Sequence, residues 1–219
     1  PPNLNEVIPN HSTPWSPSTE LANRTEQHKA PTSCYHKVTI LPTDPEWRFV
    51  WKCFSHDLPN RYMIKSISWI HNQERTQAFE ADLITQNILE EPLLANWKEE
   101  PNSELRAKVI ERWRSGAEIF SAATQDGNRH LENVTMFPLW HGTNKTVCKL
   151  ICKTGFTYFG KTSLRDQNGK DPKSTDPGYF GSGIYFTNSA RYAADIYSKG
   201  HILLSWVSMR EPLPVVDGD

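Results

Sequence analysis

From Tyr35 to Pro42 the chain reads "YHKVTILP", in which apolar and polar positions alternate with the two-residue period of a strand until Pro42 ends it. The next stretch, "DPEWRFVWKCFSH", switches to apolar residues at helical spacing, with Asp44 as cap and Pro45 at the first helical position. "YMIKSISWIHN" restores the strand period, and "ERTQAFEADLITQNIL" returns to helix. A second and stronger helix is predicted over "NSELRAKVIERWRSGAEIFSAA". Its cap is Asn102 or Ser103, and Leu105, Val109, Ile110, Trp113, Ile119 and Phe120 form one stripe. After Met136 the pattern shortens. "TMFPLW" is a strand leading into His141, and "TVCKLICKTG" is a helix closed by Gly155. "GSGIYF" and "HILLSWVSM" read as two more strands, joined by "TNSARYAADIYSKG", a short helix bearing Tyr192 and Tyr197. The mixture predicts an α+β fold with strands dominating the second half.

Two stretches fall outside this alternation. Residues 1–32 carry six prolines among Asn, Ser and Thr and read as a linker or loosely docked arm, so the domain is expected to occupy 33–219. Residues 160–178, "GKTSLRDQNGKDPKSTDPG", have Leu164 as their one large apolar residue. They predict a long polar loop of the functional kind.

Composition narrows the partners. A chain of 219 residues suits one domain with an appendage, and 24 basic against 25 acidic residues leave no global field for a phosphate backbone. No nucleic-acid partner is expected. No apolar run is long enough to span a bilayer, so no membrane is expected. The first residues lack the pattern of a signal peptide, but Pro1 is not a Met, so the chain reads as a fragment and targeting upstream of it is not legible. Cys34, Cys53, Cys148 and Cys152 contain no CxxC pair. They predict no structural zinc and no disulfide framework, and they favour a reducing compartment, the cytoplasm or nucleus. Cys148 and Cys152 share a helix face and read as packing residues. Four Asn-x-Ser/Thr sequons, against about two by chance, do not argue for secretion.

Taken singly, the chemistry-bearing residues are modest. His141 is an ordinary strand-end polar residue, Gly181 and Gly183 flank a turn into a strand, and Tyr185 and Tyr197 are half-buried packing. Their order changes the reading. A strand ends in His-Gly-Thr, a helix ends in Ile-Cys-x-x-Gly-Phe, a polar loop follows, and then come Gly-x-Gly-Ile-Tyr-Phe and a tyrosine twelve residues on. This order resembles the catalytic domain of the poly(ADP-ribose) polymerase family of ADP-ribosyltransferases. "LPTDPEWRFVWKCF" and "IKSISWIHNQERTQAF" resemble that family's opening helix and its strand-to-helix segment, so the resemblance covers roughly 33–219.

The resemblance implies a split, antiparallel-rich β-sheet with flanking helices around an NAD cleft, NAD being a co-substrate. It implies that His141 bonds the adenosine ribose hydroxyl and that the Gly142 backbone holds the nicotinamide carboxamide, with Thr143 and Gly183 beside them. Tyr185 and Tyr197 would sandwich the cationic ring, an attraction that aromatic faces supply. His141 and Tyr185 are the implied catalytic pair, and residues 160–178 the implied donor loop, with Arg165 on the diphosphate. The bond from ribose C1′ to nicotinamide breaks with oxocarbenium character, so restraint of NAD matters more than a strong nucleophile. The implied activity is mono-ADP-ribosylation of a protein acceptor, with a silent NAD- or ADP-ribose-binding module as the alternative. Two departures stand out. Ala193 occupies the place of a serine that donates to the carboxamide. The chain also ends before the strand expected to carry a third catalytic residue, while Glu211, Asp217 and Asp219 in the Pro-rich exit read as solvated.

Overall fold

The alternating periods give two separate antiparallel ladders with helices laid against them. The computed structural model describes residues 16–28, 35–55, 62–88, 101–124, 134–156, 183–210 and 212–216. In chain order the elements are α1 (Thr19–Gln27), β1 (His36–Ile40), α2 (Pro45–Ser55), β2 (Ile67–His71), α3 (Gln73–Ile88), α4 (Ser103–Thr124), β3 (Thr135–Thr143) and α5 (Lys145–Thr154). A short α6 (Ala190–Tyr192) then runs on as a π-helical turn, Ala193–Tyr197, before β4 (His201–Met209). The described residues therefore form a mixed α+β structure of six helices and two two-stranded sheets. β1 pairs with β2 from His36↔His71 to Ile40↔Ile67, and β3 pairs with β4 from Thr135↔Met209 to Thr143↔His201. No described helix is long and apolar enough to cross a membrane.

Helix α1 lies inside the stretch whose prolines read as an arm, and the described part of that stretch is firmly docked. Leu21 is fully buried against Val38, Ile40 and Ile67, with Trp47 and Val50 of α2 packed alongside. Two polar ties hold it. Glu46 accepts from the backbone N–H and the hydroxyl of buried Ser18, while Arg24 forms a two-pronged ion pair with buried Asp44. One apolar anchor in nine residues is too little to register as periodicity, which is why composition alone suggested a looser segment.

The stripe predicted along α4 is rotated. Leu105 and Val109 are exposed, whereas Arg106, Ile110 and Trp113 face inward, with Trp113 against Phe137 of β3 at 6.4 Å between ring centroids. Arg106 can be buried because its guanidinium donates to the carbonyls of Pro101 (2.9 Å) and Pro214 (2.6 Å). Pro214 is itself fully buried, so this part of the Pro-rich exit docks on α4. The side chains of Ile119 and Phe120 lie outside the described residues.

Strand β3 carries the second core. Met136 and Phe137 are adjacent, point to opposite faces and are both buried, so this part of the strand is covered on both sides. Farther along, Trp140 packs with Phe54 of α2 and with Ala190 and Ala193. "GSGIYF" is not a ladder strand in its described part. Residues 183–186 pair with nothing in a sheet, and Thr187 alone bridges to Trp140 through reciprocal backbone bonds of 2.7 and 2.9 Å.

Candidate functional site

The end of β3 presents His141, Gly142 and Thr143 in sequence, and Asn144 then turns the chain into α5. Asn144 Oδ1 accepts from the N–H groups of Thr146 and Val147, satisfying two donors that the helix start leaves open. At the far end Gly155, at φ 76°, closes α5 and donates to the Ile151 carbonyl. Phe156 thereby returns to the His141 ring, edge-on at 5.2 Å.

The Trp140–Thr187 bridge sets the opposing chain in register, so that Phe186 and Tyr185 run back alongside His141 and Gly142. His141 Nδ1 lies 2.9 Å from the Tyr185 carbonyl oxygen. A carbonyl can only accept, so Nδ1 is the donor of this bond, and the tautomer that makes it has Nε2 as its acceptor. Phe186 stands 5.7 Å from the imidazole and 4.9 Å from Phe156, which completes an aromatic triangle around the histidine. The apolar run Ile184-Tyr185-Phe186 thus serves this cluster rather than a sheet.

Gly142 is covered by the π turn. A Cβ there would sit 2.2 Å from the Ala193 carbonyl oxygen and 2.9 Å from Tyr197 Cβ, so only glycine lets the turn settle onto β3. Thr143 is buried, and its carbonyl accepts from the Lys199 N–H at 3.2 Å. Tyr197 is half-buried and meets Tyr192 edge-to-face at 5.7 Å, with Tyr192 half exposed. Among the described residues, nothing lies within 4 Å of where a Cβ on Gly183 would stand.

Comparison of the chain with protein-family models gives no match, and comparison with curated proteins gives none either.

The structure thus brings His141, Gly142, Thr143, Tyr185 and Tyr197 around the end of β3. Arg165, Gly181, Ser182, the 160–178 loop, Glu211, Asp217 and Asp219 lie outside the described residues. Ala193 departs from the expectation of a missing carboxamide donor facing a ligand. Its side chain is buried with Phe54, Trp140 and Ala190, so a hydroxyl added there would enter apolar packing.

Three site residues escaped the sequence reading. Tyr62, from the chain entering β2, donates its hydroxyl to Asp195 in the π turn, and Arg191 pairs with the same carboxylate at 3.5 Å. Phe156 and Phe186 were visible as letters of the motifs, but nothing in their spacing says that both touch His141. Two surface depressions lie elsewhere, one along Trp47 and Trp51 of α2 and one between Tyr35 and α5. Neither is lined by His141, Tyr185 or Tyr197.

Proposed function

We propose that this chain binds NAD and transfers its ADP-ribosyl group, as a single unit, to a protein side chain with release of nicotinamide. The observation that carries the reading is the His141 imidazole. Its Nδ1 is committed to the Tyr185 carbonyl and its ring is braced by Phe156 and Phe186, which leaves Nε2 as a fixed acceptor for a ribose hydroxyl. NAD supplies the scissile bond and the leaving group. The chain's part is restraint: His141 fixes one ribose, and Tyr185 and Tyr197 offer aromatic faces suited to a cationic ring. A binding module without turnover is the second reading.

Incubation with NAD labelled on the ADP-ribose portion, scoring protein-attached label and free nicotinamide together, tests the proposal. A transferase yields both in step, a hydrolase yields nicotinamide without attached label, and a binding module yields neither while still binding NAD in calorimetry. His141→Ala should lower NAD affinity about three- to tenfold, the effect of one lost hydrogen bond. Unchanged affinity with the fold intact removes His141 from the site.

A further inference from the structure

Helix α5 segregates its charge onto one side. Lys145, Lys149 and Lys153 recur at every fourth residue and are all exposed, while Ile151 is buried and Cys148 and Cys152 are half-buried. No acidic residue interrupts the helix, and Lys145 stands in its first turn, where the helix dipole disfavours a cation. Among the described residues, none of the three lysines joins an ion pair. Tyr35 and Lys37 alternate onto one side at the start of β1, and Lys37 is near enough to α5 to act on both of its thiols. Tyr35, Lys145, Thr146, Lys149, Leu150 and Lys153 line a shallow depression of about 470 Å³. In a chain of net charge −1 this is a local excess, confined to one face.

We infer that this ridge docks an extended acidic segment of the protein acceptor. Lysines four residues apart stand about 6 Å apart along a helix. Alternate residues of an extended peptide stand about 6.6 Å apart, so carboxylates at alternate positions meet successive lysines. The ridge is tied to the frame of the candidate site. Helix α5 starts two residues after Thr143, and Phe156 beyond its end touches His141, so the helix that carries the lysines is anchored at both ends to the strand end that carries that histidine. A peptide fits better than nucleic acid, because four lysines without a wider basic field neutralise few phosphates and Tyr35 is a single stacking platform. That the bound segment belongs to the acceptor rests on the transferase reading.

Fluorescence anisotropy on the whole chain, without NAD, tests the surface with three probes: a peptide of alternating glutamate and serine, a matched lysine–serine peptide, and a single-stranded DNA oligomer. The acidic peptide should bind best, release with salt, and lose about tenfold in affinity when Lys145→Glu, Lys149→Glu and Lys153→Glu are combined. The corresponding triple glutamine variant, which adds no like-charge strain to the helix, should show a smaller loss in the same direction. Absent acidic-peptide binding, binding unchanged in both variants, or tighter binding of the DNA oligomer overturns the inference. Calorimetry with NAD on the same proteins separates the two ideas. NAD binding without peptide binding sinks the ridge alone, whereas peptide binding without NAD binding keeps the surface and removes the acceptor role.

Discussion

At Gly142 the sequence offers a glycine beside a histidine, and a ligand is the natural tenant of the space where a Cβ would be. The structure fills that space with the protein's own backbone, the Ala193 carbonyl of the π turn. Backbone cannot swing aside as a side chain can. Gly142→Ala should therefore cost about 1–3 kcal/mol and lower the urea midpoint, whereas Gly183→Ala, which meets no described neighbour within 4 Å, should stay within about 0.5 kcal/mol. Equal midpoints would mean that the turn yields freely. The cysteines differ just as sharply. A hydrogen bond from the Cys152 thiol, aided by Lys37 and opposed by burial, brings the Cys148 thiol down from 9.0 to about 7. The same bond raises Cys152, and burial pushes Cys53 up to about 12. Of the three described cysteines, Cys148 should thus react fastest with iodoacetamide, its rate climbing with pH and levelling above about 7, while Cys53 stays unmodified in the native protein. Cys152→Ala should move that profile back toward 9.0; a profile that does not move rules out the shared proton.

Among the helices, the end of α5 was legible, since the Gly155 stop acts as its residue type suggests, whereas its start lies one residue before the expected Thr146, behind an Asn144 cap that the expected helix did not include. Strand β4 was equally plain, since "HILLSWVSM" occupies the whole of it. Helix α4 was legible in extent but not in orientation. Counting apolar letters put Leu105 and Val109 inward, but a long arginine with two carbonyl partners outcompetes them for the interior. Arg106→Ala should accordingly cost about 2–3 kcal/mol, because it strips charge-assisted bonds from two carbonyls, one of them on buried Pro214. Leu105→Ala, on an exposed position, should cost under about 1 kcal/mol in the same thermal melts. The reverse ranking would restore the stripe as first read.

Over the whole molecule, the α+β character followed from periodicity, whereas the closeness of the site residues did not. Spacing along the chain says nothing of Phe156 folding back on His141, or of Tyr62 reaching the π turn, because those contacts depend on how distant elements pack. The docking of α1 was hidden for a related reason: one leucine and two polar ties hold it, and none forms a pattern. The Tyr62–Asp195 bond spans 133 residues of sequence and the His141–Tyr185 bond spans 44. Closing such separations costs entropy before any contact returns it, so these bonds are expected to form late in the folding reaction. On a ribosome, β1, α2 and β2 emerge well before Asp195 does. Asp195 reaches Tyr62 only after that synthesis, and the surroundings of His141 are assembled only once nearly the whole chain described has been made.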